Sequence, residues 1–502
     1  MSKIHENLVN TIIWTAAFLL PSSVMAQAGD YLQISEPEFS GPLIVSDESY
    51  PQLAAHRTQA FLDLDSMGYV EEEYLVSGQA NVYDWALDGS VSVKISAAPY
   101  TTRILVRRPA DPGRFSGNVI VETLNNARQY DWAFIWALSY EHFVNAGDVF
   151  VAVTHSPAAI EVLRNFDPLR YNNLTLANPA PMETCGPDNL TSVSEEGLKW
   201  DLISQVGVLL RSETGPLAGL NVKNIVATTH TRELTTYANS IHKISRRSNG
   251  EPIYDGFVIK SEYAVADPIR RCALPPPEGD QRRIISNAGV PVLRVIAQGD
   301  VLATLSVRRE DSDDLSDPFR LWEVAGAPHM DKIYYQHMPV VEDQVKSGQV
   351  GYLVNWPQGY QCTPDINLLD FPVMRYAVNA AFSAMTGWIN GGVSPPRAER
   401  ISVSSENSGE PDITTDSHGN ALGGMRNVYL DVPVATYLDS TPGPAVCTNL
   451  GRKEAFSWQK LETLYGNSGN YADRVNQRLE SLVADGWLTD ADSVQIRQEL
   501  IP

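Results

Sequence analysis

Three stretches of this sequence bring chemistry-bearing side chains to the end of a short apolar run. They are Ala227-Thr228-Thr229-His230-Thr231, Gln298-Gly299-Asp300 and Val324-Ala325-Gly326-Ala327-Pro328-His329. Their order along the chain is hydroxyl, carboxylate, histidine, the order of a hydrolytic triad in an open parallel sheet. A hydroxyl is a poor nucleophile until a base takes its proton. Imidazole does this near neutral pH, and a buried carboxylate fixes its tautomer. A threonine of the first stretch is the candidate hydroxyl, His329 the base and Asp300 the orienting acid, with His230 as a further acid–base group. Each also has an ordinary use. Asp300 suits a helix N-cap or turn, His329 a hydrogen-bonded structural histidine, and His230 a polar turn facing solvent. Ser156, beside His155, is a spare hydroxyl on a different strand end and a poorer nucleophile.

Such groups need elements that present them together. The runs 117–121 (GNVIV), 149–153 (VFVAV), 225–228 (IVAT) and 291–297 (PVLRVIA) read as buried strands. Helical periodicity lies between them at 132–146, 200–211 and 234–241. Strands alternating with helices predict an α/β fold with a mainly parallel central sheet covered on both faces, and ligands then bind beyond the strand carboxyl ends. Residues 69–108 alternate as antiparallel strands, with breaks expected at Ser77-Gly78 or Ala98-Pro99. Residues 165–198 read as a long excursion forming a lid or pocket wall. Residues 401–450 are polar and turn-rich. The turn Asp416-Ser417-His418-Gly419-Asn420 lacks the full spacing and closing Glu of a calcium loop, so no metal is expected. Residues 453–499 hold two helical patterns, the second ending at Gly486.

Composition excludes several classes. The 502 residues are 43% hydrophobic and carry a net charge of −22. The first allows a large core, and the second argues against a nucleic-acid binder or a protein docked on anionic lipid. At the N-terminus, Lys3 precedes the mostly apolar run 11–20 (TIIWTAAFLL) and small residues at Val24-Met25-Ala26 and Ala26-Gln27-Ala28. This predicts a cleaved secretory signal within 1–28, and a periplasmic or extracellular protein. No later stretch has the apolar length of a membrane span. Export permits disulfides, and Cys185, Cys272, Cys362 and Cys447 allow three pairings, none of them C-x-x-C. The division expected is a leader at 1–28, an α/β domain at 29–400 with an insertion near 165–198, and an accessory segment at 401–502. A small molecule is the expected partner, with no cofactor.

Several segments then carry a family likeness. They are 100–115 (YTTRILVRRPADPGRF), 119–125 (VIVETLN), 166–171 (FDPLRY), 200–211, 236–242 (TYANSIH), 319–329 (FRLWEVAGAPH), 419–424 (GNALGG), 431–437 (DVPVATY) and 464–466 (LYG). In this order the chain resembles the secreted bacterial α/β-hydrolase-domain family. The resemblance implies a serine-hydrolase fold, ester-like substrates, His329 as base and Asp300 as acid. Where the family carries a G-x-S-Q-S elbow, this chain has neither Ser nor Gly. Counting from the strand places Thr231 at the serine, and counting back from TYANSIH places Thr228 there. The extra methyl of Thr crowds a strained turn. Gln298 replaces an acidic residue beside the triad acid, and Thr123 replaces the family Trp. Glu122, ending a buried strand near an oxyanion-hole loop, is a candidate to shape the pocket or to pair with Arg128.

Overall fold

A computed structural model describes residues 31–501 apart from 128–129, 187–191, 261–264, 350–361, 363–372 and 406–408. The expected leader and Arg128 therefore lie outside the described residues. Residues 32–502 cluster as one unit. Its centre is a nine-stranded sheet. In chain order the strands are β1 (Glu38–Ser40), β2 (Tyr69–Trp85), β3 (Val91–Pro109), β4 (Asn118–Thr123), β5 (Val149–Val153), β6 (Asn224–Thr229), β7 (Gly256–Lys260), β8 (Val292–Ala297) and β9 (Phe319–Val324). Their spatial order is β9-β8-β7-β6-β4-β5-β3-β2-β1. The strands from β4 to β9 pair in parallel, and β1, β2 and β3 pair antiparallel at one side.

The apolar runs become strands because both faces of the parallel part are covered. Every residue of β5, β6, β7, β8 and β9 is buried. The covering helices include α1 (Phe134–Ala146), α2 (Pro157–Phe166), α3 (Lys199–Leu209), the short α4 (Glu233–Thr236) and α5 (Val373–Gly391). Helix α5 packs on β7 and β8, and α3 packs on β2. The helix expected over 234–241 is α-helical only to Thr236 and continues as a π-helical turn, Tyr237–Ile241.

The antiparallel part departs from expectation in its turn. Strands β2 and β3 run straight through Ser77-Gly78 and Ala98-Pro99, which pair across the ladder, Gly78 with Tyr100 and Gln79 with Pro99. The chain reverses instead between Trp85 and Val91, where Gly89 adopts φ +83°. Asp88-Gly89 supplies the left-handed residue that such a reversal needs. Beyond β9, a parallel bridge between Val324 and Met425 brings the C-terminal part back to the sheet. The helix Asp490–Leu500 meets α5 through Asp492, which accepts from Asn379 Nδ2 at 3.0 Å, and Trp487 lies 5.2 Å from Trp322.

Of the three possible pairings, the structure holds Cys185–Cys272 and Cys362–Cys447. The first joins the excursion at 165–198 to the segment after β7, across 87 residues of sequence. Closing so long a loop limits the unfolded chain, so Cys185→Ser with Cys272→Ser is expected to cost about 2–5 kcal/mol. A urea midpoint equal to wild type would show that the bridge does not act this way.

Candidate active site

A cavity of about 590 Å³ opens beyond the carboxyl ends of the parallel strands. The loop after β4 contributes Asn125 and Trp132, the start of α1 Phe134, and the residues just after β5 His155 and Ser156. The turn after β6 adds His230, Thr231, Arg232 and Glu233, and the turn after β9 adds His329. Glu196 comes from the end of the excursion, Lys199 from the start of α3, and Asp267 and Pro268 from the segment after β7.

His329 and Asp300 meet. Asp300 lies in the first turn of the short helix that follows β8. The chain then crosses to β9 and returns through a bend in which Gly326 has φ +79°. Gln298 holds that bend: its Oε1 accepts from Gly326 N at 2.7 Å, and Gly299 N donates to Ala327 O at 3.2 Å. His329 Nδ1 then lies 2.7 Å from Asp300 Oδ1, with both residues buried. With Nδ1–H donating to the carboxylate, Nε2 carries the lone pair, as a general base requires.

The turn after β6 is where the hydroxyl nucleophile was expected. Thr228 lies inside β6, paired between Glu122 and Val258, fully buried and outside the cavity lining among the described residues. Thr231 lines the cavity, but its hydroxyl is committed to Glu233 Oε2. Glu233 is itself buried and takes two further hydroxyls, Thr123 Oγ1 and Thr229 Oγ1, each at 2.6 Å on Oε1. A nucleophile elbow strains one residue in a sharp strand-to-helix turn. Non-glycine residues with positive φ among those described are Leu53, Ala97 and Asn287, none of them in this turn.

His230 stands in the turn facing His329, their ring centroids 5.1 Å apart. It stacks on Phe134 at 4.2 Å, and its Nε2 lies 2.7 Å from Lys260 Nζ. Lys260 ends β7, is fully buried, and also donates to His329 O at 3.1 Å. Burial lowers the Lys260 ammonium to about 8 despite the pull of Asp300 and Asp331. Burial first, then the charge of Lys260, holds His230 well below the usual histidine range. A charged lysine therefore donates to a neutral imidazole, and the His230 proton sits on Nδ1.

Glu122 and Thr123, expected at the pocket, do not line it. Glu122 takes Ile135 N at 2.9 Å and Trp136 N at 3.1 Å, closing the start of α1, and burial raises its carboxyl to about 8. The turn at Asp416 uses its carboxylate for His418 N, Asn420 N and Arg426. No cluster able to hold a metal exists among the described residues. Lys260, Trp132 and the role of His155 were not anticipated. Two signals in the sequence bear on them: a lysine closing the apolar run GFVIK, and aromatics at every second position, Tyr130, Trp132 and Phe134.

The fold is a hydrolase-type scaffold with a buried histidine–carboxylate pair beyond its strand ends. The chain belongs to the alpha/beta hydrolase domain family, whose model matches residues 39–498. No curated protein matches it. Among solved structures, a thermostable esterase from Pseudomonas putida ECU1011 is 13% identical, over 58% of this chain and 85% of that one, with a TM-score of 0.32. A fungal esterase from Rhizomucor miehei is 12% identical, over 58% and 89%, with a TM-score of 0.31. Esterase B from Lactobacillus rhamnosis is 12% identical, over 51% and 75%, with a TM-score of 0.26.

Proposed function

We propose that this protein hydrolyses carboxylic esters or lactones by activating water at His329. The observation that carries this reading is the 2.7 Å contact between His329 Nδ1 and Asp300 Oδ1 at the cavity wall. His329 Nε2 takes a proton from water as the water oxygen bonds to the substrate carbonyl carbon. The tetrahedral oxyanion then expels the alkoxide, which receives that proton from His329, leaving acid and alcohol. A covalent threonyl intermediate is not required, since the Thr231 hydroxyl is held by Glu233. Export through the leader at 1–28 belongs to the same proposal and is supported by the two disulfides.

The test is turnover of p-nitrophenyl acetate by the purified protein, beside His329→Ala, Thr231→Ala and Thr228→Ala. His329→Ala is expected to lose about 10²–10⁴-fold in rate. The two threonine variants are expected to stay active, and a fluorophosphonate probe to leave the protein unlabelled. Loss of activity in Thr231→Ala together with phosphonate labelling at Thr231 would install the covalent route instead. A second reading, binding or lyase/isomerase chemistry by His230 and His329, draws on their 5.1 Å approach. It takes over if every folded variant and wild type alike fail to hydrolyse the ester.

A further inference from the structure

Lys260 is a buried charge that the hydrolytic steps leave unused. It closes β7 opposite Val295 of β8 and is 0% exposed. Lysine is rarely buried to this depth unless a carboxylate pairs with it. Here no carboxylate touches the ammonium among the described residues, and Asp300 and Asp331 act on it only through their charge. Its hydrogens go instead to His230 Nε2 at 2.7 Å and to the His329 carbonyl at 3.1 Å. The face of the Tyr334 ring lies against it, with Nζ 5.2 Å from the centroid, as a cation–π partner.

The elements joined in this way are those that carry the site. His230 is in the turn after β6, His329 in the loop after β9, and Tyr334 in the short helix Lys332–Gln336 beyond it. Tyr334 also meets His230 at 5.7 Å and Phe134, edge to face, at 4.7 Å. His329 is thereby gripped at both ends. Asp300 takes the ring at Nδ1, and Lys260 takes the main chain at the carbonyl. The carboxylate fixes the tautomer and one point of the ring, and the second anchor fixes the backbone from which the ring projects. A reacting group displaced by about 1 Å loses about 10²-fold in rate, so an anchor on the backbone of the base has a direct kinetic consequence.

We propose that Lys260 is the positioning residue of the general base, a brace that holds His329 by its carbonyl and His230 by Nε2. This inference rests on the hydrolase reading and adds to it a residue remote from the substrate. Lys260 is outside the cavity lining among the described residues, so it acts through the two histidines. The brace also sets the charge beside the base. An ammonium at Nε2 opposes a second positive charge on His230, whose ring centroid is 5.1 Å from that of His329. His230 therefore stays neutral when His329 takes its proton from water, and the imidazolium meets no like charge from that ring.

The experiment has a spectroscopic and a kinetic part. Nitrogen NMR of the histidine rings in the wild-type protein, with His230 assigned by its loss in His230→Gln, is recorded between about pH 5 and 8. His230 is expected to keep a bare Nε2 and a protonated Nδ1 throughout. Titration of His230 within this range, or a proton on Nε2, overturns the brace. In the kinetic part, Lys260→Met keeps an unbranched stem and removes the donor. Its kcat for p-nitrophenyl acetate is expected to fall about 10²-fold, with KM within about threefold of wild type. A lysine that only supports the fold would lower the urea midpoint and leave kcat per folded molecule unchanged, and that result overturns the inference. If Lys260→Met does not fold, the NMR result decides alone. If wild type hydrolyses no ester, the hydrolase reading falls, and the NMR result still decides whether Lys260 braces the two histidines.

Discussion

Asp300→Asn is expected to lower ester turnover by about 10³–10⁴-fold while leaving the fold intact. The carboxylate accepts from His329 Nδ1 at 2.7 Å and so keeps the lone pair on Nε2. An asparagine that turns its amide toward the ring donates to Nδ1 instead, moving the proton to Nε2, where no base remains. Because the side chain keeps its size in a buried site, the loss should fall on kcat with an unchanged urea midpoint. Turnover within about threefold of wild type would show that the pair is structural and that hydrolysis, if present, runs elsewhere.

Arg103→Met is expected to destabilise the protein by about 3–5 kcal/mol, the cost of leaving a buried charge without its partner. Arg103 is 1% exposed and binds Glu73 at 2.9 Å, Asp131 at 3.1 Å, the Gln52 carbonyl at 2.8 Å and Thr154 Oγ1 at 3.0 Å. Glu73 keeps Arg170 and Tyr171, but Asp131 loses its ion-pair partner. Asp131 sits between Tyr130 and Trp132, and Thr154 precedes His155, so the same guanidinium braces two sides of the cavity. Urea unfolding reads the stability, and a change below about 1 kcal/mol would remove Arg103 from this role. Ligand-induced stabilisation should weaken in the same variant.

How far the sequence announces this arrangement depends on the chemistry of each segment. Strands β4, β5, β6 and β8 are legible because strands covered on both faces become uninterrupted apolar runs. Strands β7 and β9 hide behind charge. Lys260 ends one, and Arg320 and Glu323 lie within the other, buried but paired with Asp313 and Arg308. A charged residue reads as surface until its partner is known. Pro99 reads as a break, yet it lies where β3 extends beyond its pairing with β5, which covers only Ile104–Arg107, so a missing N–H is tolerated there. The strand-end positions of Asp300 and His329 are visible in one dimension. Their contact depends on the bend at Gly326 and its anchor on Gln298, and the Lys260–His230 pair joins residues from two strands. Such adjacency has no periodicity to betray it.

The turn after β6 also sets how far a change at His230 would spread. A single His230→Ser exchange would remove a ring on which several neighbours depend. The buried Lys260 ammonium would lose its acceptor, Phe134 would lose the ring stacked on it, and Glu233 would still hold three threonine hydroxyls. One imidazole thus ties the turn after β6 to the end of β7 and the start of α1, so substitutions at His230, Lys260 and Phe134 are expected to be non-additive. Sequence change at this turn is therefore constrained to move as a coupled set, in which one substitution alters the cost of the next.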